Sequence, residues 1–403
     1  MSKEKLIPEF RFPEFKNEGE WEIKTLSGIC DITNGKANAQ DHVDNGRYPL
    51  FDRSEVIKAS DEFIFDCEAV IIPGEGMRFI PKYYEGKFNL HQRAYALKDF
   101  SCSGQFVYYS MLHRSTLLSQ KAVQSTVLSL RLPILQDFPI EIPKKPEEQQ
   151  KIASCLSSLD ELIAAHKDKL DALKDHKKGL MQNLFPQDGE KVPKLRFKEF
   201  ENSGEWEEKK ISDLGETISG LTGKSKDDFG AGKPFVTYKQ VFDNSEINFE
   251  QCERVQISDD ENQTSLQQGD ILFTTSSETP NEVGFASVLI DFPKEKTYLN
   301  SFCFALRPFN IEKTQPQFSR YLFHSPIYRR SVTAIAQGST RYNISKGAFV
   351  EIQVPIPAPT EQQKIASCLS SLDELIAAQA EKIEQLKLHK KGLMQGLFPK
   401  IND

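Results

Sequence analysis

Between residues 152 and 184 the core-type positions fall in alternating steps of four and three: Ile152, Leu156, Leu159, Ile163, His166, Leu170, Leu173, Lys177, Leu180 and Leu184. The same steps return at Ile365, Leu369, Leu372, Ile376, Gln379, Ile383, Leu386, Lys390, Leu393 and Leu397. Sustained heptad spacing predicts two coiled-coil helices rather than ordinary amphipathic ones. At roughly 36 residues each would be roughly 54 Å long. Two such seams in one chain are expected to pair with each other. Antiparallel pairing would set the remaining domains at opposite ends, about an approximate two-fold axis. His166 and Gln379 break both seams at the same place, which reads either as a register pin or as a point where both face a partner or solvent. Lys177 and Lys390 are expected to snorkel. Cys155 and Cys368, beside the seam, read as packing residues.

Much of the chain is written twice. Residues 148–165, EQQKIASCLSSLDELIAA, recur unchanged at 361–378, and LKDHKKGLMQNLFP (173–186) returns as LKLHKKGLMQGLFP (386–399). A second repeat joins IPEFRFPEFKNEGEWEIK (7–24) to VPKLRFKEFENSGEWEEK (192–209), with Trp21 and Trp206 in equivalent places. Between the repeats lie two largely unlike segments, about 30–142 and 215–357. Each offers a buried-strand pattern (AVIIPG at 69–74, DILFTT at 270–275), a second strand (AYALK at 94–98, FCFALR at 302–307) and a helical stretch (FVYYSML at 106–112, FSRYLFH at 318–324). Each closes in a proline-rich linker that ends the domain. The expected fold is α+β: two similar α/β domains, at 1–145 and 187–357, separated by two long antiparallel coiled-coil helices, a central one at 146–186 and a C-terminal one at 358–403, with pseudo-two-fold symmetry.

Composition narrows the function. The 403 residues are 38% hydrophobic and 27% charged, enough apolar content for several cores. No run approaches a membrane span, and MSKEKLIPEF lacks the apolar core of a signal peptide, so a cytoplasmic protein with no membrane association is expected. Seven cysteines with no C-x-x-C pair argue against a disulfide framework and against a thiolate zinc site. A net charge of -7 weighs against nucleic-acid binding if evenly spread.

The EQQKIA helix, the KKGLMQ-LFP ending, the G-E-W opening of each half and the AQGSTRYNISKG stretch (336–347) together resemble the DNA specificity (S, HsdS) subunit of type I restriction-modification enzymes, over essentially the whole chain. The resemblance implies two target recognition domains, each reading one half of a bipartite site in double-stranded DNA. It also implies helices that set the spacing and dock two methyltransferase (M) subunits, with restriction/translocase (R) subunits joining later. On that reading the chain is a non-catalytic recognition subunit with no cofactor of its own. S-adenosylmethionine would sit on the M subunits and ATP/Mg on the R subunits, and the assembled complex would be a site-specific deoxyribonuclease and adenine-specific DNA methyltransferase.

Local charge agrees with this implication. Arg307 to Lys346 carries seven basic residues against Glu312 alone, and Arg93 to Arg131 five against Asp99 alone. Such stretches suit phosphate contacts, with arginine also able to form a bidentate contact to guanine. The candidate DNA-binding residues are Gly338, Ser339, Thr340, Arg341, Tyr342, Asn343 and Lys346, with Arg329 and Arg330 in the same basic stretch. In the first domain Ser125 and Thr126 are retained, but Val127 stands where Arg341 would be. Lys224, Lys226, Arg78 and Arg93 complete the set.

Enzyme readings fail on spacing. GLTGKS (220–225) has Ile218 where a phosphate loop needs its first glycine, no methylase Asn-Pro-Pro-Tyr occurs, and no H-E-x-x-H or other metal spacing is present. Asp188 with Glu207 and Lys209 has a nuclease-like order, but the first copy, Glu22 and Lys24, lacks the upstream aspartate. A structural adaptor with two protein-binding domains on a strut is the remaining alternative from another class. An RNA binder is disfavoured by the absence of aromatic-rich RNA-binding strands.

Overall fold

The structure, a computed structural model, describes residues 6–124, 127–258 and 260–400. It divides into two compact units, Met1–Asp168 with Ala380–Asp403, and Lys169–Gln379. This differs from the four-segment division read from the sequence: each long helix is shared, because its two halves pack into different cores.

In the first unit, strands β1 (Glu22–Thr25), β2 (Asp31–Asn34), β3 (Tyr48–Phe51), β4 (Lys58–Ser60), β5 (Phe65–Pro73), β6 (Lys82–Leu90) and β7 (Ala94–Lys98) precede helices α1 (Gly104–His113), α2 (Ser115–Lys121) and α3 (Leu132–Gln136), strand β8 (Pro139–Ile142) and helix α4 (Pro146–Asn183). Six strands form one sheet in the order β2-β7-β5-β6-β3-β4, and β1 pairs with β8. The run Ala69–Ile72 of β5 is apolar throughout because the strand is covered on both sides. Val70 and Ile72 join the core with Phe106 and Val107 of α1, whereas Ala69 and Ile71 join Phe51 and Phe88 in a second core.

The second unit continues with β9 (Glu207–Lys210), α5 (Ile211–Leu214), β10 (Gly215–Ser219), β11 (Phe229–Val236), α6 (Tyr238–Asp243), β12 (Glu253–Val255), β13 (Ile271–Thr274), β14 (Ser276–Ser277), β15 (Ala286–Val288), β16 (Tyr298–Leu299), β17 (Cys303–Pro308), α7 (Pro316–Leu322), α8 (Pro326–Ala334), β18 (Tyr342–Asn343), α9 (Lys346–Val350), β19 (Gln353–Ile356) and α10 (Pro359–Leu397). Its central sheet runs β10-β17-β13-β15. Ile271 and Phe273 face one core and Leu272 another, the same two-sided device as in β5. The strand and helix patterns noted in both variable segments are all present, as β5, β7 and α1 and as β13, β17 and α7.

The repeated motifs are the scaffold of each unit. Within the first, Met394, Leu397 and Phe398 from the end of α10 share a core with Ile152, Ala153 and Leu156 near the start of α4, while Asp160 pairs with Lys390 at 2.6 Å, so the two segments run antiparallel. Within the second, Leu184 and Phe185 meet Ile365, Ala366 and Leu369, and Lys177 pairs with Asp373, again antiparallel. All sixteen apolar seam positions are buried or half-buried. Lys177 and Lys390 correct the sequence reading. Rather than snorkelling they close a triad in which a tyrosine hydroxyl donates to the same carboxylate, Tyr321 to Asp373 at 2.8 Å and Tyr109 to Asp160 at 2.7 Å.

The EQQ at each helix start is also explained. Glu148 accepts a bidentate pair of bonds from Arg11 (2.7 and 2.8 Å) and one from the Trp21 indole (3.3 Å). Glu361 does the same with Arg196 (2.8 and 2.8 Å) and Trp206 (3.3 Å). Gln149 accepts from the Ser103 amide, which begins α1, and donates to the Pro143 carbonyl of the linker. Gln362 does so with the Gln315 amide and the Pro357 carbonyl. Each helix start is thereby bolted to its arm, its linker and its domain.

Candidate nucleic-acid interface

In both units one end of the central sheet carries a cluster of loops built to a common plan. In the first, β5 ends at Pro73 and the chain loops through 74–81 to β6. The β6–β7 turn, His91–Arg93, lies beside that loop, since the Gly74 amide donates to the Arg93 carbonyl at 2.8 Å. A side chain at Gly74 would place its Cβ 2.5 Å from that carbonyl oxygen, so only glycine allows the approach. A short hairpin closes the cluster: Val123 and Ser129 exchange amide bonds at 2.9 and 3.0 Å, and Ser129 bridges to Glu75.

The second unit repeats this with different side chains. Gln337 and Asn343 exchange bonds at 2.9 and 2.8 Å, and β18 pairs Asn343 with Ser276 and Tyr342 with Ser277. Gly338, at φ 140, turns the hairpin where any Cβ would meet the Arg341 carbonyl at 2.1 Å. The match of VQSTVLSL (123–130) to QGSTRYNI (337–344) therefore holds at the backbone level. Ser125 and Thr126 lie outside the described residues.

The predicted residues separate into two groups. Arg341, Ser339, Thr340 and Asn343 are exposed on the hairpin, and the Arg341 guanidinium lies 5.8 Å from the ring centre of Phe302, itself 58% exposed. Tyr342 is half-buried beside them, and Lys346 begins α9 with its ammonium 2.6 Å from the Ser219 hydroxyl. Lys226 and Arg78 are exposed on their loops. Arg93 is exposed but makes two bonds to Glu75, at 2.8 and 3.1 Å.

The others are occupied. Arg329 donates to the Asn281 and Gly284 carbonyls at 2.8 and 3.1 Å and stacks 4.6 Å over Phe285, with burial lowering its pKa. Lys224 is nearly buried and paired to Glu261 at 2.6 Å, whereas Arg330 stays exposed on the surface in an open bridge to Asp188 at 3.2 Å. The sequence-local basic surplus shrinks for the same reason. Arg307 is held by Asp270, Arg320 by Glu246, and Arg114 by Glu141. Counting charge along a window missed acids supplied from elsewhere in the chain.

Sequence reasoning also missed side chains that the first unit gathers at its loop end. A cleft of about 640 Å³ is lined by Asn38, Asp52, Arg53, Lys58, His91 and Gln92, and a second of about 600 Å³ by Arg53, Met77, Arg78 and Lys82 among others. Burial works against ionisation of Asp52, but Lys58 at 2.7 Å and the Ser54 amide outweigh it and hold the carboxyl below its ordinary value. Burial pushes the Lys82 ammonium down while it donates to the Ser54 carbonyl. No local motif announces Arg53 or Lys82; only the sheet order brings them to Arg78. Among the described residues there is no cluster of three or more His, Cys, Asp or Glu side chains able to hold a metal, and no helix long and apolar enough to cross a membrane.

A family model described as the type I restriction modification DNA specificity domain matches the chain twice, over residues 18–175 and 203–388. The chain belongs to this family. Its members are non-catalytic specificity subunits of type I restriction-modification systems. Among curated relatives, the chain is 27% identical to the EcoDI specificity subunit of Escherichia coli over 44% of its own length and 40% of the relative's. It is 23% identical to the MjaVIII specificity subunit of Methanocaldococcus jannaschii over 73% and 69%, and 24% identical to the putative MjaX specificity subunit of the same organism over 92% and 78%. The chain thus aligns with about two fifths of the first of these relatives. The fold matches the crystal structure of the S subunit from M. genitalium, with a TM-score of 0.63 at 15% identity over 98% of this chain and 100% of that one.

Proposed function

We propose that each unit reads one half of a bipartite double-stranded DNA site with its loop end, and that α4 and α10 set the spacing and dock two methyltransferase subunits. Restriction/translocase subunits would join that complex in the cytoplasm, with S-adenosylmethionine on the methyltransferases and ATP/Mg on the motor subunits. One observation carries the reading. Helices, arms and their buried bonds recur almost unchanged, whereas the loop ends keep a common backbone plan but differ in side chains. A scaffold held constant under two different reading surfaces suits two different half-sites.

In the second unit the DNA face comprises residues 338–343, with Arg341 and Asn343 aimed at base edges and Lys346 at phosphate. In the first it comprises Arg53, Arg78, Lys82 and Gln92, with Arg93 after release from Glu75. Ser125 and Thr126 stay in the proposal by sequence position alone. Lys226 and Arg330 are placed at phosphates. Arg329 and Lys224 leave the set, because their charges are already used inside the fold.

Binding to target DNA, measured for the full chain with its methyltransferase subunits across a salt series, tests this. A DNA reader loses affinity steeply as salt rises. Assembly with methyltransferase but no sequence-dependent DNA binding at any salt would favour the adaptor reading.

A further inference from the structure

We infer that Met77 is an apolar wedge that enters the base stack in the half-site read by the first unit; the inference rests on the DNA-reading assignment above. Met77 is 83% exposed, an extreme for a large apolar side chain. Its loop is not loose. The Gly74 carbonyl accepts from the Leu130 amide at 2.8 Å, the Gly76 amide donates to Leu128 at 3.1 Å, and Phe79, two residues on, is fully buried in the core. An anchored loop therefore holds Met77 out at the loop end rather than letting it fold back.

Its surroundings name the occupant. Arg53, Arg78 and Lys82 line the cleft beside it together with Glu55, Pro73 and Ile80, so cations that suit phosphates flank a small apolar strip. Methionine is unbranched and polarizable, so it fills an irregular gap. Apolar side chains flanked by cations are the recurring means by which proteins part a base step and kink the duplex. The second unit lacks the device at the corresponding position, and its exposed Phe302 ring lies elsewhere, beside the Arg341 guanidinium at 5.8 Å. Glu75 bridges Ser129 as Ser276 pairs with Asn343, so the residue corresponding to Met77 is Glu278, an exposed acid that the DNA phosphates would repel. One half-site should be parted and the other left stacked.

The test uses the full chain with its methyltransferase subunits and duplexes of the mapped recognition sequence, with 2-aminopurine placed at successive positions other than the methylated adenines. Fluorescence should rise at one step of the half-site assigned to residues 30–142 and nowhere in the other. Met77→Leu should keep the rise, while Met77→Ala should abolish it and weaken binding by about tenfold. Met77→Ala that binds and fluoresces like the parent overturns the wedge while leaving DNA reading intact. Loss confined to methyltransferase assembly overturns it in favour of a protein contact. No sequence-specific binding by the parent complex overturns the DNA reading and the wedge with it.

Discussion

Replacing Arg196 with methionine should unfold the second unit at markedly lower denaturant while leaving its shape otherwise unprovoked. Glu361 is 1% exposed and Arg196 7%, and among the described residues the further side-chain donor to Glu361 is the Trp206 indole at 3.3 Å, while Arg196 also donates to the Gly204 carbonyl. Without the guanidinium the carboxylate stays buried with one donor, a loss of about 3–5 kcal/mol for a broken buried pair. At about 2 kcal/mol per molar urea, the midpoint should fall by about 2 M. The chain has two tryptophans, one beside each pair, so Trp206 fluorescence in a Trp21→Phe background reports the second unit alone. The neighbouring Lys364–Glu199 bridge is half exposed and screened by solvent, and Lys364→Met should leave the midpoint nearly unchanged. An Arg196→Met cost no larger than that of Lys364→Met would refute the claim that the buried pair bolts arm to helix. The mirror variant, Arg11→Met, should show the same loss through Trp21.

Three further outcomes are expected. Arg341→Ala should keep the fold, since its guanidinium lies beside the exposed Phe302 ring and not in a buried bond network, but weaken DNA binding by about 1–3 kcal/mol and relax one base pair of one half-site, as read by methylation mapping. Arg329→Ala should do the reverse: it orphans the Asn281 carbonyl and leaves the Gly284 carbonyl with the Tyr328 hydroxyl alone, lowering second-unit stability by about 1–3 kcal/mol in urea titration with the methylated sequence unchanged. Four residues inserted between Asp168 and Lys169, where α4 passes from one unit to the other, add about 6 Å, less than two base pairs at about 3.4 Å each. The spacer should grow by about one or two pairs with both half-sites kept; an active enzyme with an unaltered spacer would show that the helix is not the ruler.

Periodicity carried most of the fold. The heptad seams, the two-sided apolar runs of β5 and β13 and the repeated arms were legible because burial imposes a period on local sequence. The hairpin at 337–343 was legible from its glycine and small polar residues. What stayed hidden depends on residues distant in sequence. Arg307 meets Asp270 across 37 positions and Arg320 meets Glu246 across 74, so a window of charge overstated the free basic surface. Arg329 sits in the same basic run as Arg341, yet its carbonyl partners lie in a loop 45 and 48 residues upstream. The first unit's cationic cleft escaped notice because Arg53, Arg78 and Lys82 share no motif and meet only in the fold, where Lys82 donates to the Ser54 carbonyl beside Arg53. Where the units divide was equally hidden, since an unbroken heptad pattern does not say which core each half of a helix joins.

The central claim is that two independent readers share one scaffold. Its most direct test is genome-wide adenine-methylation mapping in cells that carry this chain with its methyltransferase subunits, before and after residues 30–142 are exchanged for the corresponding segment of a relative. The account predicts a bipartite methylated sequence in which one half changes, the other half is kept and the spacer is constant. A methylated sequence in which both halves change, or neither does, would contradict it.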